Sequence, residues 1–196
     1  MNRPEGVMER VLQSVTTDNT DLVIVQQFLD GEAQGFDEIV RRYQSRVYNT
    51  CFQMLGNGSD AEDATQETFV AIFKGLGGFE ARSTLSTWIY RITINKCRTF
   101  RSKRPSDVNV ECDLSIHYDD HDGMQKRQVV RGLLQELKPH YRAVLILRYF
   151  QQLSYEEIGE TLGWSTSKVK CYLSRARNHF KRAYQFLDGG DVDAMR

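Results

Sequence analysis

Near the C-terminal end of the chain, apolar residues recur at three- and four-residue spacing in two short runs. Ile158 and Leu162 form one face of the first run, and Val169, Leu173, Ala176 and Phe180 lie within one narrow arc of the second. Ser154 and Glu157 have capping-box spacing ahead of the first run. Gly163 stands where a helix stops, because glycine takes the left-handed conformation without a Cβ penalty. Ser165, Thr166 and Ser167 each offer a cap for the second helix. The arc opposite its apolar face carries Ser167, Cys171, Ser174 and Asn178, flanked by Lys170 and Arg175. Arg177, Lys181 and Arg182 extend the charge, and no carboxylate falls between Trp164 and Tyr184. The pattern predicts a helix-turn-helix whose second helix enters a DNA groove. Lys170 and Arg175 can serve base edges or phosphates, while Cys171 and Ser174 permit close approach. Taken alone, a basic face is more often simply solvated; here caps, stop and one-sided charge agree.

Earlier in the chain, Ser59 to Lys74 reads as a helix capped by Ser59 and Glu62, with Thr65, Phe69 and Ile72 as its buried stripe. Asp63, Gln66 and Glu67 sit together on the other side, which this segment by itself would leave as a solvated face. Phe79 to Trp88 follows the Gly77-Gly78 break and is polar with aromatic ends. Such a loop can cradle an unpaired base between aromatic faces, although Phe79 and Trp88 are equally suited to a core. A helix from Ser86 to about Lys103 places Ile89, Ile92, Thr93 and Phe100 inward and Thr87, Arg91, Asn95, Arg98 and Ser102 outward. Arginines mixed with asparagine and hydroxyls suit nucleic acid. Pro139 marks the start of a helix reaching Phe150.

These elements predict an all-α chain of two small helical domains joined by an extended acidic linker. The expected bounds are 1–17 for an N-terminal tail, 18–104 for the first domain, 105–125 for the linker, 126–187 for the second domain and 188–196 for a C-terminal tail. The linker carries Asp107, Glu111, Asp113, Asp119, Asp120 and Asp122. Each domain is long enough for one core. Net charge is zero across 196 residues, but basic residues gather in Arg82 to Arg104 and Lys168 to Arg182. A neutral total weakens nonspecific attraction to phosphates, and the acidic stretches call for self-shielding or a basic partner. No apolar run spans a bilayer and no signal-peptide layout opens the chain, so a cytoplasmic protein without membrane insertion is expected. Cys51, Cys97, Cys112 and Cys171 lack disulfide or metal spacing and read as reduced thiols.

With these motifs in view, the chain resembles a bacterial RNA polymerase sigma factor of the extracytoplasmic-function (ECF, group 4) class of the sigma-70 family. The carrying segments are DAEDATQETF (Asp60 to Phe69), FEARSTLSTWIYRITIN (Phe79 to Asn95) and LKPHYRAVLILRYFQQLSYEEIG (Leu137 to Gly159) with its following basic helix. The resemblance implies sigma-2 and sigma-4 domains and a function in directing core polymerase to promoters and initiating strand opening. By that resemblance, Asp60, Asp63, Gln66 and Glu67 dock on the coiled coil of the largest polymerase subunit, with the flap region as a second contact. Phe79, Arg82, Ser83, Thr87, Trp88, Arg91, Asn95 and Arg98 meet the −10 element. Ser167, Lys168, Lys170, Cys171, Ser174 and Arg175 face the −35 element. A separate anti-sigma factor is the implied regulator, and no catalysis, cofactor or metal is implied. Ile89 stands where housekeeping members carry a second tryptophan, which implies weaker melting and stricter promoter choice.

Two other classes compete. A stand-alone helix-turn-helix regulator would bind duplex DNA without polymerase, usually as a dimer. An enzyme could use Asp119, Asp120, His121 and Asp122 as a metal cluster, but adjacent linker residues rarely converge on one ion.

Overall fold

The computed structural model describes residues 20–103 and 121–187, and every regular element among them is helical. Helix α1 (20–29) leads into α2 (Ala33–Leu55), α3 (Gly58–Gly75), a single 3-10 turn (Leu76–Gly78) and α4 (Leu85–Lys103). The second group holds α5 (His121–Glu136), α6 (Pro139–Leu145), a π-helical turn (Ile146–Phe150), α7 (Tyr155–Leu162) and α8 (Thr166–Leu187). The expected all-α architecture is what the chain adopts. The tails and most of the linker lie outside the described residues, but His121 to Gln125 begin α5 rather than ending the linker.

In the first domain α2, α3 and α4 bury Ile39, Val47, Ile72, Ile89 and Ile94 against one another. Helix α1 is fastened to α2 by polar contacts: the Tyr43 hydroxyl donates to the buried Asp21 carboxylate, and Arg42 reaches the same group at 3.2 Å. The start of α3 differs from the expected Ser59–Glu62 box. Asn57 caps it instead, its side chain accepting from the Asp60 amide at 2.8 Å, because the helix begins two residues earlier. The buried stripe of α3 is Ala61, Ala64, Thr68 and Ile72; Thr65 and Phe69 lie at its margin.

In the second domain the helix-turn-helix forms as its pattern predicts. Ser154 and Glu157 close a capping box at 3.1 and 2.7 Å, and Gly163 takes φ 68°. Gly159 permits the tight turn: a Cβ there would stand 2.6 Å from the Trp164 carbonyl oxygen. Val169, Leu173 and Ala176 are buried, as their arc requires. The helix opened by Pro139 does not run unbroken to Phe150; its last five residues widen into the π turn.

Arg142, in α6, is among the largest fully buried side chains of the described residues. Its guanidinium donates to the carbonyls of Leu134 (2.7 Å), Gln135 and Leu137, and to Met54 of α2 (2.5 Å). Burial, with a smaller push from Arg101, lowers its pKa to about 9, so it remains a cation at neutral pH. It ties the two domains together where a cluster of helix-end carbonyls would otherwise lack donors.

Candidate nucleic-acid interface and acidic face

Three surfaces carry the predicted residues. On α8, Ser167, Lys168, Lys170, Cys171, Ser174 and Arg175 are all exposed, opposite the buried arc. They do not all face alike. Lys168 lies 4.7 Å from the Trp164 ring and 5.7 Å from that of Tyr172, so it covers an aromatic row at the edge of the face. Cys171, Ser174 and Arg175 form the open strip, with Lys170 at its margin, 5.9 Å from the Tyr155 ring.

On α4, Arg91, Asn95 and Arg98 are exposed, as predicted. Thr87 is not: at 0% exposure it packs inside the first turn, where Thr84 and Thr87 share a hydroxyl hydrogen bond of 2.8 Å. The Thr84 hydroxyl also accepts from the Thr87 amide at 3.2 Å. The capping demand of the helix start turns this residue inward although it shares the spacing of Arg91. Phe79 and Trp88 are partly buried, packed against the core at the two ends of the loop with ring centroids 5.4 Å apart, as the core reading of them expects. In that loop Ser83 is half-buried and Arg82 is exposed, paired with Glu80 at 2.6 Å.

Part of the α4 face is covered by the second domain. Arg91 donates from Nε and Nη2 to the carbonyl of Glu160 in α7, at 3.1 and 2.8 Å. Beside it the Tyr90 hydroxyl donates to Gln151 (2.6 Å), whose amide donates to Thr50 (3.1 Å). Arg98 stands close enough to His140 for its charge to act on that ring. The His140 pKa is lowered first by burial, then by Lys138, Arg98 and Lys168. A lowered folded pKa favours the neutral ring, so stability present above pH 6.5 is lost as pH falls through the folded value. An NMR titration is expected to place the His140 midpoint below 6.5, and Arg98→Ala to raise it. A midpoint unmoved by that change would separate the two residues.

On α3, Asp63 and Gln66 are exposed, and Glu67 is half-buried with its carboxylate 3.1 Å from Lys96 of α4. Asp60 is withdrawn from this face. It is 9% exposed and bonded to the Asn57 amide group at 2.7 Å, because it serves the helix start. Val70 and Phe73, each 53% exposed and absent from the predicted face, prolong it by one turn. Phe73 meets Phe28 and Phe36 edge-on at 5.4 and 5.0 Å. The available signal was their spacing: Val70 and Phe73 follow Gln66 at four and seven residues, so apolar groups share a stripe with acids. Apolar groups and carboxylates therefore share one exposed face of α3.

Cys51, Cys97 and Cys171 are free thiols, and Cys112 lies outside the described residues. No metal-binding group occurs among the described residues; Asp119 to Asp122 fall outside them or have undescribed side chains. Among the described residues no helix is long and apolar enough to cross a membrane.

Comparison with known proteins identifies the family of both helical groups. The family model for sigma-70 region 2 matches residues 39–105, and that for sigma-70 region 4 matches 127–180. The chain is 36% identical over 157 residues to the RNA polymerase sigma factor YlaC of Bacillus subtilis, covering 76% of this chain and 91% of that one. It is 26% identical to the ECF RNA polymerase sigma factor SigW of the same organism, covering 83% and 96%. Its fold is similar to that of the sigma factor RpoE in complex with the anti-sigma factor NepR from Bartonella quintana, with TM-score 0.67, 23% identity and coverage of 78% and 98%. The stand-alone regulator reading gives way, since region 2 spans the very helices that such a regulator would not need. The chain therefore belongs to the ECF class of the sigma-70 family of bacterial RNA polymerase sigma factors.

Proposed function

We propose that this alternative sigma factor divides its work among the three surfaces and performs no catalysis of its own. The 18–104 domain grips core polymerase through Asp63, Gln66 and Glu67, with Val70 and Phe73 as an apolar extension. Arg91, Asn95 and Arg98 of α4, with the Phe79 to Trp88 loop, take the −10 element. Lys170, Cys171, Ser174 and Arg175 of α8 take the −35 element in the major groove. Asp60 and Thr87 act by holding the starts of α3 and α4. The chain works in the cytoplasm, where core polymerase and promoters are.

The observation that carries this reading is the separation of an acidic-apolar face on α3 from two cationic faces on α4 and α8. A cationic face draws on phosphate charge, whereas an acidic one repels it and needs a different partner. The two DNA faces cannot both work in the arrangement described, because Arg91 is engaged by the Glu160 carbonyl. Polymerase binding must part α4 from α7. The Bartonella relative's anti-sigma complex supports a separate anti-sigma factor as regulator here too.

The test is to mix the purified chain with core polymerase and a promoter library, then sequence the transcripts. Co-elution with core and transcription from a defined promoter set are expected; full-strength site selection by the chain alone would overturn the reading. Lys170→Ala is expected to weaken holoenzyme binding to the −35 element by about tenfold. If the contact is to phosphate, the salt slope falls by about one without loss of sequence preference. Promoter affinity unchanged on both counts would remove Lys170 from the interface.

A further inference from the structure

A cleft outside all three surfaces lies between the domains. One cavity of ≈ 460 Å³ is lined by Arg46, Asn49, Gln53, Phe150, Gln151 and Gln152. A second, of ≈ 280 Å³, adjoins it, shares Gln53 and Phe150, and adds Arg127 and Arg131. Its walls come from α2 of the first domain and from α5 and the π turn of the second. No carboxylate lines either cavity, and none among the described residues pairs with any of the three arginines. Two polar atoms in these walls have no hydrogen-bond partner although both are buried: Gln53 Oε1, an acceptor, and Arg131 Nε, a donor. The Arg131 guanidinium stacks on the Phe52 ring, 4.2 Å to its centroid, which engages that group in place of a hydrogen bond, and the Gln53 acceptor stays unmet. Phe150, 43% exposed, presents its ring on the wall shared by both cavities. The backbone around it is irregular: a π turn ends at Phe150, and Gln152 takes φ 58° without being glycine. Such features recur at functional sites.

We propose that this cleft binds a nucleotide-class anion, with its phosphate on the arginines and its planar ring on Phe150. Guanidinium groups match phosphate oxygens in a bidentate fork. Stacking on an aromatic ring tolerates many bases, and the exposed side-chain amide of Asn49 offers both a donor and an acceptor to a ring edge. The combined space falls in the range of small-molecule clefts. Because the two domains supply opposite walls, the bound anion favours the closed arrangement over any state in which α2 and the π turn separate. That last consequence rests on the polymerase reading above; the binding itself does not.

The test is calorimetric titration of the full chain with ADP, with adenosine and inorganic pyrophosphate as separate arms. Saturable ADP binding at least about tenfold tighter than either fragment is expected, since each fragment makes half the contacts. Arg46→Ala and Arg127→Ala are each expected to weaken ADP by about tenfold with unchanged thermal melting, because each removes a charge-assisted bond. Arg41→Ala, an equal charge change on α2 beyond the cleft, should leave the affinity as it was. Absence of saturation would overturn the proposal, as would affinity indifferent to Arg46 and Arg127 or equally reduced by Arg41→Ala. Pyrophosphate binding as tightly as ADP would overturn the role of Phe150. The titration contains no polymerase, so its failure leaves the promoter reading standing.

Discussion

The double reversal Asp63→Lys with Glu67→Lys is expected to abolish co-elution with core polymerase while leaving the chain folded. Both residues lie on the outer side of α3, whose packing side is Ala61, Ala64, Thr68 and Ile72. Changing them therefore removes no core contact. The Glu67–Lys96 pair is lost, but its carboxylate side chain is 44% exposed, and exposed pairs contribute only about 0–1 kcal/mol. Docking is affected far more. A cationic partner surface would meet two new positive charges, and like-charge juxtaposition costs several kcal/mol. Affinity should fall by about a hundredfold or more. Gel filtration with core polymerase reads the loss, and circular dichroism reads the fold. Unchanged co-elution would show that the acidic face of α3 is only solvated. Loss of helicity would show instead that the face is part of the structure.

Arg142→Met is expected to lower stability by about 3 kcal/mol, a fall in Tm of about 10 °C. The physical reason lies in the carbonyls rather than in the arginine. Its guanidinium satisfies those of Leu134, Gln135, Leu137 and Met54, in two domains, within a fully buried site. Each buried carbonyl left without a donor costs about 1–3 kcal/mol. Relief from desolvation acts in the opposite direction, because burial already disfavours this charge. Methionine fills most of the volume, so a cavity is not the cause of the loss. The carbonyl cost outweighs the relief, since several acceptors are orphaned for one cation removed. A thermal melt equal to that of the native chain would show that the carbonyls find other donors and that Arg142 is dispensable.

Much of the fold was legible because its signals are local. The capping box Ser154–Glu157, the stop at Gly163 and the arc of Val169, Leu173 and Ala176 each depend on residues within a turn or two of one another. Local geometry is the same whatever the rest of the chain does, so spacing alone finds it. The same reasoning found the exposed strips of α4 and α8. It failed at helix starts: Asn57 caps α3 in place of Ser59, and Thr87 and Asp60 turn inward to accept from the side chains of Thr84 and Asn57. A helical wheel assigns faces but ignores the unpaired amides of the first turn, which claim nearby polar side chains.

The chain's order of residues by itself determined that there are two helical domains, which helices are cationic on one side, and that an acidic stripe lies on α3. These follow from periodicity and from where charge falls along a helix. Only the tertiary structure decided what the charges do when the domains meet. Arg142 is buried because carbonyls from α2 and α5 converge on it. Arg91 reads as free and is engaged by a carbonyl of α7. The cleft lined by Arg46, Phe150 and Arg131 joins residues about a hundred positions apart, and no periodicity reports a contact of that range. Such contacts depend on how two separately folded surfaces approach, and that is settled by shape and unmet hydrogen bonds rather than by spacing.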